Sequence, residues 1–316
     1  MSEEVKKIAT RESYGAALVE LGKERDDFIV LDADLADATK TGMFKKAFPE
    51  RFYDCGIAEQ NLMNVAGGIA TTGKRVFASS FAMFAAGRAY EQVRNGIGYP
   101  HLPVIIGASH AGVSVGEDGA THQCNEDIAL MRTIPGMTII VPADDTEAHQ
   151  AVKAAIDIDG PVYLRFCRMP SPVLFDETHE FKVGKANILK DGTDVTVIAA
   201  GLLVNEALKA YELLKAEGIS ARIINMHTVK PIDREAVIAA AKETGAIVTA
   251  EEHTVVGGLG AAVSEVVCEE CPVPVIKIGT NDVFAYSGPA EVLLTEFGLR
   301  AENIVEKAKQ AIALKK

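Results

Sequence analysis

Two α/β domains with mostly parallel sheets are the fold predicted for this chain, on three observations. Short β-branched runs alternate with alanine-rich stretches of helical pattern, the signature of strands joined by crossover helices. The 316 residues, 48% hydrophobic, can bury two cores. A polar stretch from Met169 to Lys190, with Pro170 and Pro172, separates two such series and reads as a linker holding a strand or two. The predicted boundaries are residues 1–175 for the first domain, 176–190 for the linker and 191–316 for the second.

In the first domain, Phe28 to Leu31 reads as a buried strand ending at Asp32-Ala33-Asp34. Arg75 to Ala78, Val104 to Gly107 and Thr138 to Val141 read as three more, the last stopped by Pro142. Helical patterns run from Arg11 to Lys23, Gln60 to Thr71 and Thr146 to Ile156, with Asp145-Thr146 before Glu147 as a helix start. In the second domain, strands are predicted at Asp194–Ala199, Ala221–Asn225, Ala246–Ala250 and Val275–Ile278. Helices are predicted at Asn205–Glu217, Asp233–Thr244 and Gly260–Glu269, the first two closed by Gly218 and Gly245. That is a compact βαβαβαβ unit.

The formal charge of −12 and pI near 5.1 leave no basic footprint for nucleic acid. No run of about 18 apolar residues predicts a membrane helix. Met1 to Lys7 lacks an apolar signal segment. Five cysteines make no disulfide framework in a chain this long, so a cytoplasmic, reducing location is expected.

Ligands of open α/β sheets bind beyond the carboxyl ends of strands. Three segments fall there: Asp32 to Asp34, the loop after Ala78, and Ser109 to His122. All lie in the first domain, so the chemistry is expected there and the second domain reads as scaffold. The segment from Ser109 to His122 packs two histidines, two carboxylates and three glycines into fourteen residues. Imidazoles move protons near neutral pH, carboxylates orient hydroxyls, and glycine lets backbone approach a ligand. A solvated turn-rich loop and a metal site are the alternatives, but no third ligand stands at metal spacing.

Other residues are ambiguous by spacing alone. Glu59, at a helix start, reads as an exposed first-turn glutamate favoured by the helix dipole. Phe81 and Phe84, three apart, would share a helical face, either packing in the core or forming a platform for an aromatic ring. Arg11 and Arg168 read as surface charges or as an anion clamp. Cys268 and Cys271 form one CxxC after a helix, weak as a zinc or redox signal. Gly257-Gly258-Leu259-Gly260 opens a helix and could bind an anion, but close packing at a turn is the simpler reading.

Taken together these segments resemble transketolase. The likeness is carried, in order, by Ala9-Thr10-Arg11, Ala33-Asp34-Leu35, Gly56 to Asn61, Phe81 to Phe84, His110 to His122 and Tyr163 to Arg168. Gly116-Glu117-Asp118-Gly119-Ala120-Thr121-His122 is the most specific part. The match spans that family's pyrimidine-binding and C-terminal domains. The Gly-Asp-Gly string of the family's diphosphate-binding domain occurs nowhere here. The resemblance therefore implies the C-terminal subunit of a split transketolase of the pentose phosphate pathway, moving a two-carbon ketol unit between sugar phosphates on thiamine diphosphate. An N-terminal partner subunit would bring the diphosphate site and the ligands of Mg2+ or another divalent cation, in a dimer of heterodimers.

By the same resemblance, Glu59 is the glutamate that shares a proton with the aminopyrimidine ring. Phe84 stacks on that ring with Phe81 beside it, and His122 lies close to cofactor and substrate. His110, Arg11 and Arg168 hold sugar hydroxyls and the terminal phosphate, Asp118 reads the hydroxyl at carbon 2, and Asp34 lies close to the cofactor. Two departures stand out. Ala38 occupies a place where the family often has a phosphate-contacting serine, with Thr39 adjacent. A third aromatic of some members is displaced or absent in Ala85-Ala86-Gly87-Arg88-Ala89-Tyr90. Two relatives compete as alternatives. In 1-deoxyxylulose-5-phosphate synthase the C-terminal half shares the Asp-Gly-x-Thr-His string. The β subunit of a 2-oxoacid dehydrogenase is a separate chain of this size but lacks that string. Retention of Glu59, His110 and His122 argues against a protein that keeps the fold without the chemistry.

Overall fold

The computed structural model describes residues 6–315; Met1–Val5, read above as lacking a signal segment, lie outside the described residues. Strands follow in chain order: β1 (Lys7–Ile8), β2 (Phe28–Asp32), β3 (Phe52–Asp54), β4 (Arg75–Phe81), β5 (Val104–Ser109), β6 (Thr138–Ile140) and β7 (Val162–Arg165). They continue as β8 (Ser171–Pro172), β9 (Asn187–Lys190), β10 (Val195–Ala199), β11 (Ala221–Asn225), β12 (Thr228–Lys230), β13 (Ile247–Thr254) and β14 (Val275–Thr280). The predicted strands are all present, most extended by one to four residues at the carboxyl end. β3, β7 and β12, none of them read as strands, complete the first sheet.

That sheet has the order β12-β6-β7-β5-β4-β2-β3, parallel except where β12 meets β6. β12 comes from the second half of the chain, so the two halves share a sheet rather than meeting only at a linker. The second sheet runs β14-β13-β10-β11-β9, with β9 antiparallel at its edge. The stretch read as a linker is tied down: Asp144 accepts the N–H groups of Leu174 and Phe175 at 2.7 and 2.9 Å while capping helix Asp145–Ala155 through Glu147 N–H.

Helices cover both faces, as burial of a parallel sheet demands. Helix Thr10–Glu24 packs its Tyr14 against β5 and β4. The Tyr14 hydroxyl bonds Ser79 at 2.7 Å and its ring stacks on Phe166 at 4.8 Å. Gly107 admits that ring, since a Cβ there would lie 2.3 Å from the Tyr14 oxygen. This contact sets the height of the helix on the sheet and so the position of Arg11 in its first turn. Among the described residues no helix is long and apolar enough to cross a membrane.

Candidate functional site

The neighbouring parallel strands β7, β5, β4 and β2 deliver Arg168, His110, Phe81 and Asp34 in that order along one sheet edge, because each residue lies at or just beyond its strand's carboxyl end. Arg11 joins them from the opposite end of the sequence. β1 pairs with β8, Lys7 opposite Pro172 and Ile8 opposite Ser171, which brings the start of helix Thr10–Glu24 beside the chain leaving β7. Thr10 completes the splice by accepting Cys167 N–H at 2.9 Å.

Glu59 is the first residue of helix Glu59–Ala70 but is only 2% exposed, unlike the solvated first-turn glutamate expected from spacing. Arg88 Nη1 donates to its Oε2 at 2.9 Å, and the Arg88 guanidinium lies 4.6 Å over the Phe84 ring. Among the described residues no side chain donates to Oε1. Phe81 and Phe84 do not share a helical face. Phe81 ends β4, and Phe84 sits in a π-helical turn, Met83–Arg88, whose extra residue per turn re-aims its side chains. Their rings still stack, at 5.9 Å and 18°. His110 stacks on Phe81 at 3.8 Å, and His122 meets Phe84 edge-on at 5.3 Å. Two aromatics, two imidazoles and a buried carboxylate with its planar cation thus line one wall.

His110 is buried and holds φ 56°, a left-handed conformation that a non-glycine residue adopts only when its surroundings enforce it. Its Nε2 lies 3.4 Å from Arg11 Nη1, and its Nδ1 is 2.9 Å from Ser109 Oγ. Arginine only donates, so Nε2 is the acceptor and the ring proton sits on Nδ1, donated to Ser109. Burial, then the charges of Arg11 and Arg168, push the imidazole down to about 3, so it is neutral at physiological pH.

The unfolded chain takes up the proton near pH 6.5 and the folded one does not, so this stability is present above that pH and lost as pH falls toward the folded value. Between pH 7.5 and 5 the wild type is expected to lose about 2 kcal/mol that His110→Gln does not. Chemical denaturation at the two pH values checks this, and equal losses in both proteins would refute it.

Arg11 and Arg168 line one hollow of about 290 Å³ together with Ser114. Burial first, and then the charge of Arg168, lower the Arg11 pKa. Arg11 donates to Ala38 C=O at 2.9 Å, and its Nε is buried without a partner. Arg168 donates to Val115 C=O and, at 3.0 Å, to Glu117. Two guanidiniums lining one hollow suit a tetrahedral anion, with Glu12 as the one carboxylate among the lining residues.

Asp34, φ 61°, is exposed on the rim of a separate hollow of about 630 Å³ that also takes in Ala38, Lys45 and Asp54; its N–H donates to Asp54 Oδ1 at 3.0 Å. Beneath it the fully buried Asp32 accepts Leu35 N–H and the hydroxyls of Thr39 and Thr41 at 2.7 to 2.8 Å. Burial raises its carboxyl to about 6 against the pull of those bonds. The Thr39 hydroxyl is therefore committed to Asp32 and does not replace the serine missing at Ala38. Asp118 is exposed at the end of the 3-10 turn Val113–Asp118.

The remaining motifs resolve simply. Leu259 and Gly260 N–H donate to Glu251, so the anion at the Gly257–Gly260 helix start is the chain's own carboxylate. Cys268 lies within helix Leu259–Glu270 rather than after it, with Cys271 at its C-cap, and both are free thiols. Among the described residues no group of three or more His, Cys, Asp or Glu side chains could hold a metal.

The transketolase pyrimidine binding domain matches residues 6–172 and the transketolase C-terminal domain residues 184–304. The chain belongs to the transketolase family. A transketolase C-terminal section from Methanocaldococcus jannaschii is 49% identical over 300 residues, 94% of each chain. The 6-deoxy-6-sulfo-D-fructose transketolase subunit SqwH of a Clostridium species is 42% identical over 94% of this chain and 92% of its own. Among solved structures, a split gene transketolase described as an inactive beta4 tetramer superposes with a TM-score of 0.92 at 53% identity, over 98% of this chain and all of that one. The chain is thus a transketolase-type transferase subunit of the C-terminal kind, as its sequence implies.

Sequence reasoning passed over Arg88 and Glu252. Arg88 had a signal, a cation four residues past Phe84 in the helical stretch that follows it. Glu252 had one too, since Glu251-Glu252-His253 is a charged run ending an apolar strand.

Proposed function

We propose that this chain is the C-terminal subunit of a split transketolase that transfers a two-carbon ketol unit from a ketose phosphate to an aldose phosphate, of pentose phosphate pathway type, in the cytoplasm. The observation that carries this reading is the Glu59–Arg88–Phe84 contact. A planar group with N–H donors lies over Phe84 and bonds a buried carboxylate, and those are the contacts an aminopyrimidine would make. The site therefore fits thiamine diphosphate, with Arg88 turning outward to admit it. That group would supply the electron sink for cleaving the bond between carbons 2 and 3.

The chain's own residues would do the rest. The Glu59 carboxyl would hold the proton shared with the pyrimidine ring, Phe84 and Phe81 would fix its plane, and His122, beside Phe84, would serve proton transfer. Neutral His110 would hold a sugar hydroxyl at Nε2 in exchange for its 3.4 Å contact with Arg11, Asp118 would read the hydroxyl at carbon 2, and Arg11 with Arg168 would clamp the terminal phosphate. Asp34 would border the cofactor. Mg2+ or another divalent cation, and the grip on the diphosphate, would come from an N-terminal partner subunit in a dimer of heterodimers. The inactive tetramer formed by the 53% identical chain supports a need for that partner. Five free cysteines support the reducing location.

The test is reconstitution. The chain alone should bind thiamine diphosphate poorly and turn over no ketose phosphate, and an N-terminal subunit should restore both. A sulfonated ketose belongs in the same panel, because the arginine pair would also suit a sulfonate. Robust turnover by the chain alone would sink the split-subunit reading, and turnover of pyruvate instead would sink the ketol-transfer reading.

A further inference from the structure

The second domain does more than brace the first. Near the carboxyl end of β13 stands Glu252, 3% exposed, whose Oε1 accepts Ser114 N–H at 2.6 Å across the domain boundary. Room for that carboxylate is made by Gly112, at φ 81°, where a Cβ would lie 2.4 Å from Glu252 Cδ. Its backbone is pinned from the first sheet, since Arg165 Nη2 donates to Glu252 C=O at 2.9 Å. The same turn is touched again farther along. A Cβ at Gly116 would lie 3.3 Å from Gly288 C=O, and Gln123 Nε2 donates to both Gly116 and Tyr286 C=O at 3.1 Å. Ser114 is followed by Val115, whose C=O accepts the Arg168 guanidinium.

We propose that Glu252 is a positioning residue for the anion end of the substrate site: it holds the 112–118 turn so that Val115 C=O fixes Arg168 opposite Arg11. This rests on the phosphate-binding role given to Arg168 above. Glu252 does not line the hollow, whereas Ser114 and Arg168 do, so its influence passes through the turn.

In the reconstituted enzyme, Glu252→Ala is expected to reduce about tenfold the preference, in kcat/KM, for a ketose phosphate over the same ketose without phosphate, as one lost hydrogen bond to a charged group would. The change should fall on KM. Glu252→Gln, whose amide oxygen still accepts Ser114 N–H, should recover most of the preference. In the chain alone, amide hydrogen exchange across 112–118 should quicken in Glu252→Ala and not in Glu252→Gln. Equal losses on both sugars, or exchange unchanged by Glu252→Ala, overturns the proposal. If the wild type shows no preference for phosphate, the anion role of Arg168 is what fails, and the exchange result then decides whether Glu252 holds the turn.

Discussion

Glu59→Gln in the reconstituted enzyme is expected to lower kcat by about 10²–10⁴-fold while leaving assembly with the partner unchanged. The substitution keeps the shape of the side chain, and in the chain alone it keeps an oxygen for Arg88 Nη1, which bonds Oε2 at 2.9 Å. What it removes is a carboxyl able to gain and lose a proton. Because the residue is 2% exposed, water offers little alternative route for that proton. Steady-state turnover of a ketose phosphate, with partner affinity measured in parallel, separates the chemical effect from a structural one. A kcat within threefold of wild type removes Glu59 from the proton path, and weakened assembly reassigns it to the interface.

The largest stability effect is expected at Asp127. Its Oδ2 accepts from Arg165 Nε and from the Tyr163 hydroxyl, each at 2.8 Å. Both charges are out of water, with side chains 0% and 6% exposed. Burial pushes the Asp127 carboxyl up, but the Arg165 charge and its hydrogen bond outweigh that and hold it below its ordinary value. Such a pair contributes little net stability, yet removing one member strands the other. Asp127→Ala is therefore expected to cost about 3–5 kcal/mol, and Asp127→Leu with Arg165→Met to recover only part of that loss, because the Tyr163 hydroxyl and the Cys124 and Glu252 carbonyls lose their partners. Urea unfolding monitored in both domains checks this. A single-variant cost under about 1 kcal/mol would mean that water or a counter-charge reaches Arg165. Since Arg165 also bonds Glu252 C=O, Asp127→Ala should loosen the domain boundary together with the first sheet.

Strands were legible in the sequence wherever an apolar β-branched run was long enough to be buried on both faces. Ala221–Asn225 was read to the residue. β3 and β12, three residues each at the two sheet edges, are not legible because they lack a continuous apolar run, and β7 is not legible because its apolar run breaks at Arg165. The π-helical turn at Met83–Arg88 was misread as ordinary helix because spacing of three is blind to an inserted residue. The exposed first-turn reading that spacing alone offers for Glu59 fails for a different reason. Helix-start chemistry favours an acidic residue there whether it faces solvent or a site, and only the packing of Arg88 and Phe84 over it decides between them.

By itself the sequence determined the fold class, the two-domain order, and the strand ends beyond which function had to lie. Those follow from local periodicity and from the topology of parallel sheets. It also specified the family, through the ordered set from Arg11 to Arg168. Only the tertiary structure decided which charges meet. Arg11 and Arg168 face one hollow because β1 pairs with β8, and Thr39 is withdrawn from the site because buried Asp32 claims its hydroxyl. Glu252 reaches Ser114 because Gly112 leaves it room. Each of these joins side chains or strands through space, and the strength of a charge or a hydrogen bond depends on distance and burial, which spacing along a chain does not encode.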